Sequence, residues 1–146
     1  MLVPMRAILD AADKNGYAQG AFNVNAVCQV KAAVDVHQIL RSPAIIQGAD
    51  LANGFMGGRT DFANSTLEDK KAGAKNIGAA VKKYAADSDI PVALHLDHGK
   101  NFDSCIAAIE GGYTSVMIDG SSLPFDENVE LTREVVKYAH ERGVTV

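Results

Sequence analysis

Long apolar runs and clustered basic residues are both absent from this 146-residue sequence. No stretch approaches the ~20 consecutive apolar residues that a membrane-spanning helix needs. The opening residues 1–6 (MLVPMR) lack the charged flank and apolar core of a secretion signal. The formal net charge is −4, and the lysines are scattered rather than massed. We therefore expect no membrane partner and no nucleic-acid partner.

Cysteine is also scarce, with only Cys28 and Cys105, which fall in separate predicted helices. Disulfides are rare in cytoplasmic proteins, and small secreted domains use many of them. With two cysteines and no export signal, we expect a cytoplasmic protein. Both thiols should be reduced and should pack as small buried hydrophobic groups.

Apolar runs alternate with amphipathic helices along the chain. Strands are predicted at 20–24, 44–47, 91–96 and 114–119, and a fifth begins at 144. Helices are predicted at 4–14, 26–40, 102–110 and 126–142, and another begins after Thr66, which can cap it. Strands that are apolar along their length and joined by helices indicate a parallel sheet.

One stretch interrupts this alternation. Residues 48–65 contain Asn53-Gly54 and Gly57-Gly58, and they are predicted to be irregular. Because the stretch is long for a connection, it is a candidate functional loop or mobile flap. In the helix that follows, the lysines are predicted to face mostly solvent: Lys70, Lys71, Lys75, Lys82 and Lys83.

An open doubly wound sheet and an eight-stranded barrel both fit the alternation. The barrel is favoured because polar residues follow the strand ends in several successive units, where barrels assemble their active sites. The predicted fold class is α/β, the N-terminal half of a (β/α)8 TIM barrel with parallel strands. Such a barrel usually needs ~250 residues. Residues 1–146 are therefore expected to hold the first four β/α units and the start of the fifth strand, with the C-terminal half absent.

Residues 94–99 (LHLDHG) carry the strongest chemical signal. Side chains alternate along a strand, so His95 and Asp97 should share the face toward the barrel axis. Gly99 permits a turn that brings His98 over the mouth as well. An adjacent Asp and His could be an acid/base group and a metal ligand, or a structural hydrogen-bonded pair. The spacing alone leaves both open.

Polar residues also follow the first and fourth predicted strands. Asp119 could hydrogen-bond to a metal site or its ligands, or it could serve only as a turn residue. Asn23 and Asn25 could donate to a substrate oxygen, or they could satisfy the strand–helix turn.

A catalytic zinc site typically uses three protein ligands and leaves one position open. Among these residues only His98, helped by His95 or Asp119, is available for that role. The remaining ligands are expected to lie beyond Val146.

Together these residues resemble the class II, zinc-dependent fructose-bisphosphate aldolases. The resemblance covers the chain in four ordered segments: 20–25 (GAFNVN), 91–99 (PVALHLDHG), 114–121 (TSVMIDGS) and 123–129 (LPFDENV). Four blocks at the expected intervals form a more specific signal than any one of them.

The resemblance implies a role for each matched position. Asp97 matches the catalytic carboxylate, which moves a proton on or off the hydroxyl at the reacting carbon. His98 matches the first zinc ligand. Asp119 matches an acidic residue close to the metal site, where His95 is also expected, and Asn23 matches an asparagine near the substrate. The two other histidine ligands, the phosphate loops and a monovalent-cation site belong to later strands of the family.

The activity that the resemblance implies is reversible cleavage of fructose 1,6-bisphosphate, in glycolysis and gluconeogenesis. The products are dihydroxyacetone phosphate and glyceraldehyde 3-phosphate. Zinc stabilises the enediolate, so no Schiff-base lysine is needed. The expected partners are the sugar bisphosphate, the remaining C-terminal half and further copies in a homo-oligomer. Residues 1–146 alone are expected to be inactive, because metal ligands and phosphate sites are missing.

One departure leaves the substrate open. The family commonly has a serine near the substrate where this sequence has Ala49. Tagatose bisphosphate or a related ketose phosphate is therefore an alternative to fructose bisphosphate. A metal-dependent hydrolase on a similar barrel and a non-catalytic half-barrel are two further alternatives.

Overall fold

The computed structural model describes residues 1–146. Four strands form one sheet: β1 (Ala21–Asn23), β2 (Ala44–Ala49), β3 (Val92–Gly99) and β4 (Ser115–Ile118). Six helices accompany them: α1 (Met5–Asn15), α2 (Val27–Ile39), α3 (Asp50–Met56), α4 (Leu67–Ala86), α5 (Phe102–Glu110) and α6 (Phe125–His140). A short 3-10 turn lies at Phe62–Asn64. The predicted alternation of strands and helices is therefore confirmed.

The strands are parallel, and their order in the sheet is their order in the chain. Parallel crossovers are right-handed in nearly all proteins, so strands added in one direction place their helices on one face. An open doubly wound sheet would instead reverse its strand order to cover both faces. The observed order is that of a barrel, and it supports the predicted half-barrel.

The two faces of the sheet are packed differently. Ile46 and Leu94 belong to the main core, which they share with Val34 of α2 and Ile77 of α4. We call this the outer face. The opposite, inner face carries a separate small cluster, in which Ile45 and Ala93 pack with Ile8 of α1. Helix α1 therefore covers the amino-terminal part of the inner face.

The prediction that residues 48–65 are irregular is wrong for much of the segment. Strand β2 continues to Ala49, and α3 follows it directly. The hydroxyl of Tyr113 donates a 2.7 Å hydrogen bond to Asn53 Oδ1 in a buried setting. Helix α4 approaches so closely that a Cβ on Gly73 would lie 1.7 Å from the Asn53 carbonyl oxygen. Tertiary packing thus stabilises a helix whose Asn-Gly sequence locally favours a turn.

Lys70 is a second correction, because it does not face solvent. Its Nζ lies 2.5 Å from Asp50 Oδ2, and the two side chains are 15% and 3% exposed. The same Nζ lies 3.5 Å from Ser104 Oγ. Lys70 therefore joins the start of α3 to α4 and α5. The other carboxylate oxygen of Asp50 is buried without a partner.

The two cysteines are free, but they differ in exposure. Cys105 is buried, as predicted, and burial raises the pKa of its thiol to about 12. Cys28 is exposed at the start of α2, so the prediction of a buried thiol is wrong there.

The two ends of the chain each touch the sheet through a single parallel bridge. Leu2 pairs with Val92, and Thr145 pairs with Ser115. The second bridge lies where the sequence predicts the start of a fifth strand. No helix in the structure has the length and apolar composition that spanning a bilayer requires.

We predict that Lys70→Met will lower the free energy of unfolding by about 3 kcal/mol, because it leaves the Asp50 carboxylate buried without its cation. The measurement is urea denaturation of the purified protein. Lys71→Met is the matched control, because Lys71 pairs with an 81% exposed Glu68 and should matter by about 0.5 kcal/mol or less. Equal losses in the two variants would contradict a structural role for the buried pair.

Candidate active site

The residues predicted to be chemically active meet at the carboxyl end of the sheet. Asp97 and His98 lie near the carboxyl end of strand β3, and Asp119 follows β4 directly. The backbone N–H of Asp119 donates a 2.8 Å hydrogen bond to the carbonyl oxygen of Gly99. The two strand ends are therefore fixed side by side.

An irregularity in β3 aims the His98 side chain. Leu96 pairs with Val116 and Gly99 pairs with Ile118, so β3 has one more residue than β4 over this interval. His98 sits within it with a φ of +53°, in the left-handed region. Extra residues of this kind redirect side chains, and they are common near active sites. The turn expected at Gly99 is thus made at His98 itself.

Asp119 holds the His98 ring. Its Oδ2 lies 2.8 Å from His98 Nδ1. Its Oδ1 accepts hydrogen bonds from the Ser121 hydroxyl at 2.6 Å and from the Ser121 N–H at 3.1 Å. The bonds from Ser121, with that from His98, lower the pKa of Asp119 to about 2. The carboxylate is therefore ionised at neutral pH and accepts a hydrogen bond from the Nδ1–H of His98, which leaves Nε2 free.

The carboxylate of Asp97 lies close to His98, but the two do not form a hydrogen bond. Asp97 Oδ1 is 3.8 Å from His98 Nε2, beyond hydrogen-bond range. The structural pairing considered for these two residues is instead made by Asp119. The pKa of His98 is raised by the hydrogen bond with Asp119 and by the charge of Asp97.

Below these groups, a row of polar side chains crosses the inner face. Strand register aligns Asn23, Gln47, His95 and Ser115. The amide of Gln47 donates a 2.8 Å hydrogen bond to Asn23 Oδ1. His95 Nδ1 lies 2.8 Å from Ser115 Oγ. We call these four residues the polar row.

Two members of the polar row, Gln47 and Ser115, were missed by the sequence reasoning. Each sits inside a run that looks like an ordinary buried strand. Their significance depends on which residue faces them on the next strand, and this register is not visible in one sequence. Only the alternation of side chains along β2 could have indicated that Gln47 faces inward.

The Ala49 position lies beside Asp97 in the sheet. Ala49 is the register partner of Asp97 on the neighbouring strand. No hydroxyl is present there.

A cleft of about 300 Å³ lies beside α3, which begins at the residue after Ala49. It is lined by Asn25, Leu51, Ala52, Phe55 and Phe62. The cleft adjoins the carboxyl end of β1 and does not include Asp97 or His98.

The His98 side chain is arranged as one ligand of a metal site would be. Metal-binding histidines usually have their other ring nitrogen held by a carboxylate or carbonyl, as Asp119 holds His98. Asp97 is close to the free nitrogen and is not consumed by another contact. No group of three or more His, Cys, Asp and Glu side chains is arranged to hold a metal within residues 1–146.

Comparison with known proteins gives a consistent result. The fructose-bisphosphate aldolase from Geobacillus stearothermophilus is 41% identical over 99% of this chain and 46% of its own length. The enzyme of the same name from Treponema pallidum is 41% identical over 97% of this chain and 40% of its own. Among solved structures, the YdjI aldolase from Escherichia coli K12 superimposes with a TM-score of 0.79 at 28% identity. That superposition covers 99% of this chain and 48% of YdjI.

The chain spans about half the length of the curated relatives and of the solved structure that it matches. Together with the parallel sheet in sequential order, this confirms half of a TIM barrel. Residues 3–146 match the family described as fructose-bisphosphate aldolase class-II. The chain therefore belongs to the class II fructose-bisphosphate aldolase family.

Proposed function

We propose that this chain supplies part of the active site of an enzyme that reversibly cleaves fructose 1,6-bisphosphate. The products are dihydroxyacetone phosphate and glyceraldehyde 3-phosphate, as in glycolysis and gluconeogenesis. The observation that carries the proposal is the arrangement at the end of β3. Asp119 fixes His98 with its Nε2 free, and the Asp97 carboxylate lies 3.8 Å away without a hydrogen-bond partner.

His98 is proposed as a zinc ligand through Nε2. Bound zinc would supply the positive charge that stabilises the enediolate left when the carbon–carbon bond breaks. Asp119 would keep the ring oriented, because its ionised carboxylate accepts from Nδ1. The other zinc ligands and the site for a monovalent cation are predicted to lie outside residues 1–146.

Asp97 is proposed as the acid/base group. Its side chain is 23% exposed, so it is open to a substrate hydroxyl without being fully solvated. In the cleavage direction the carboxylate would accept the proton of the hydroxyl on the reacting carbon. In the condensation direction it would return that proton. Asn23, at the end of β1, is proposed to donate to a substrate oxygen.

The Ala49 position makes tagatose 1,6-bisphosphate the second candidate substrate. Fructose and tagatose differ in configuration at C4, whose hydroxyl is the one that the acid/base group would act on. Ala49 is next to Asp97 across the sheet and offers no hydroxyl to distinguish the two epimers. Both sugars should therefore be tested.

The proposals about partners and location rest on family membership. We propose that the remaining half of the barrel belongs to the same protein, that the protein is a homo-oligomer, and that it is cytoplasmic. The two free cysteines agree with a reducing compartment.

The function is tested by an aldol-cleavage assay on the full-length protein, with and without a chelator. We predict triose phosphate formation that the chelator abolishes, and no turnover by residues 1–146 alone. Asp97→Asn should lower kcat by about 10²–10⁴-fold while bound zinc is retained, because it removes the acid/base group and not a ligand. Asp103→Asn, on the exposed first turn of α5, is the control and should keep full activity.

Three results would contradict these assignments. Normal turnover by Asp97→Asn would exclude Asp97 as the acid/base group. Metal-dependent phosphate release without triose phosphate would indicate a hydrolase. Robust zinc-dependent turnover by residues 1–146 would show that the ligand set is complete without another half.

A separate prediction concerns Asp119. In Asp119→Asn the negative charge beside His98 Nδ1 is lost, so the pKa of His98 should fall, because the carboxylate favours the protonated ring. Zinc affinity should weaken by about 10–100-fold, as expected for loss of a residue that orients a ligand. The pKa is measured by NMR titration of the metal-free full-length protein, and zinc affinity by competition with a chromophoric chelator.

Asp126→Asn is the matched control for this experiment, because Asp126 is an exposed acidic residue in the first turn of α6. It should change neither quantity. Unaltered zinc affinity in Asp119→Asn would mean that Asp119 is a turn residue only.

A further inference from the structure

We propose that His95 is a neutral hydrogen-bond donor to a substrate oxygen, and that Ser115 is the positioning residue that fixes its tautomer. This inference rests on the proposed aldolase function. It assigns His95 a role different from that of a metal-ligand candidate.

Strand geometry places His95 on the same face as the acid/base group. His95 precedes Asp97 by two residues in β3, so both side chains point to the inner face. His95 is paired in register with Ser115 on β4. Its Nδ1 lies 2.8 Å from Ser115 Oγ, so the ring is oriented by a direct contact across the sheet.

The hydroxyl hydrogen of Ser115 determines which ring nitrogen of His95 is protonated. Ser115 is completely buried, and the only hydrogen-bond partner of its hydroxyl is His95 Nδ1. If Nδ1 carried a proton, the hydroxyl would accept that bond and its own hydrogen would be left unpaired. A buried unpaired donor is costly, so the hydroxyl donates and Nδ1 accepts. The proton of the neutral ring is therefore on Nε2.

The protonated nitrogen is available to a ligand. Nε2 of His95 makes no hydrogen bond. It is not one of the fully buried side-chain atoms that lack a partner, which are His37 Nδ1 and Asp50 Oδ1. Nε2 is thus not fully buried, and the alternation of side chains along β3 places the ring on the inner face. Burial of the ring also lowers the pKa of His95, so the ring is uncharged at neutral pH.

The same geometry disfavours His95 as a metal ligand. To bind a metal through Nε2, the ring would have to move its proton to Nδ1. That change would turn Ser115 from donor to acceptor and leave its buried hydrogen unpaired. His98 has the opposite arrangement, because Asp119 accepts from its Nδ1 and leaves Nε2 without a proton. The two histidines of β3 are therefore prepared for different tasks.

A second pair in the polar row shows the same design. Gln47 donates to Asn23 Oδ1, which leaves the amide N–H groups of Asn23 free. Two side chains of the row therefore present N–H donors, each oriented by a neighbour on the next strand. Donors fixed in advance suit a substrate that is rich in oxygen and gains negative charge as it reacts.

The tautomer is tested on the full-length protein labelled with ¹⁵N-histidine, by long-range ¹H–¹⁵N correlation spectra that distinguish Nδ1–H from Nε2–H. His95→Gln identifies the His95 signals by their loss. We expect the Nε2–H form in the wild-type protein and a mixture of the two forms in Ser115→Ala. A predominant Nδ1–H form in the wild-type protein would overturn the proposal.

Kinetics test the donor role. His95→Met should lower kcat/KM for fructose 1,6-bisphosphate by about 10²-fold with zinc content unchanged, because a preorganised donor is lost. His95→Gln keeps an N–H near the same place and should recover much of that loss. Ser115→Ala should lower kcat/KM by about five- to ten-fold. Ser42→Ala, before β2 and at the opposite end of the sheet, is the matched control and should leave kcat/KM unchanged.

The outcomes distinguish failure of the role proposed for His95 from failure of the proposed aldolase function. Loss of zinc in His95→Met would show that His95 is a ligand and would overturn the donor role. Full activity in His95→Met would overturn it as well. Absence of cleavage by the wild-type protein would overturn the proposed function, whereas the spectra would still decide whether Ser115 fixes the tautomer.

Discussion

The position of the His98 ring depends on two features, the extra residue in β3 and the hydrogen bond between His98 and Asp119. A regular strand would alternate its side chains and carry His98 to the face opposite Asp97. The positive φ at residue 98 breaks the alternation, and Asp119 at the end of β4 captures the ring. Positive φ at a non-glycine residue is unfavourable, and such strain commonly persists where the surroundings hold it for a functional purpose. The geometry of the site is therefore built into the pairing of two strands.

A buried ion pair directly after β2 supports the same edge of the sheet. Asp50 follows β2 directly and is bound by Lys70, which also reaches Ser104 in the first turn of α5. A buried ion pair contributes little net stability compared with well-packed apolar residues, but removing one partner is costly. We infer that the pair fixes the segment that follows β2 relative to the segment that follows β3. Ala49 and Asp97 lie near the ends of these two strands.

How much could be predicted from the sequence depended on the range of the interactions involved. The alternation of strands and helices, the barrel fold and the meeting of Asp97, His98 and Asp119 at one edge follow from local patterns and from the rules of parallel sheets. The helical state of residues 50–56 could not be predicted, because Asn53-Gly54 favours a turn and the stabilising contacts come from Gly73 and Tyr113. The burial of Lys70 has the same origin. The roles of Gln47 and Ser115 require the strand register, which a single sequence does not contain.

The close packing of α3 has a consequence for the dynamics of the molecule. Regions that open easily have few buried contacts and many solvated backbone hydrogen bonds. Helix α3 instead has a buried ion pair at its first residue, a buried side-chain hydrogen bond at its centre, and backbone contact with α4 at a glycine. Opening this segment would expose all three together, so its amide hydrogens should exchange with solvent in the same cooperative event as those of α4. We infer that the wall of the cleft formed by α3 keeps its shape while the rest of the molecule stays folded.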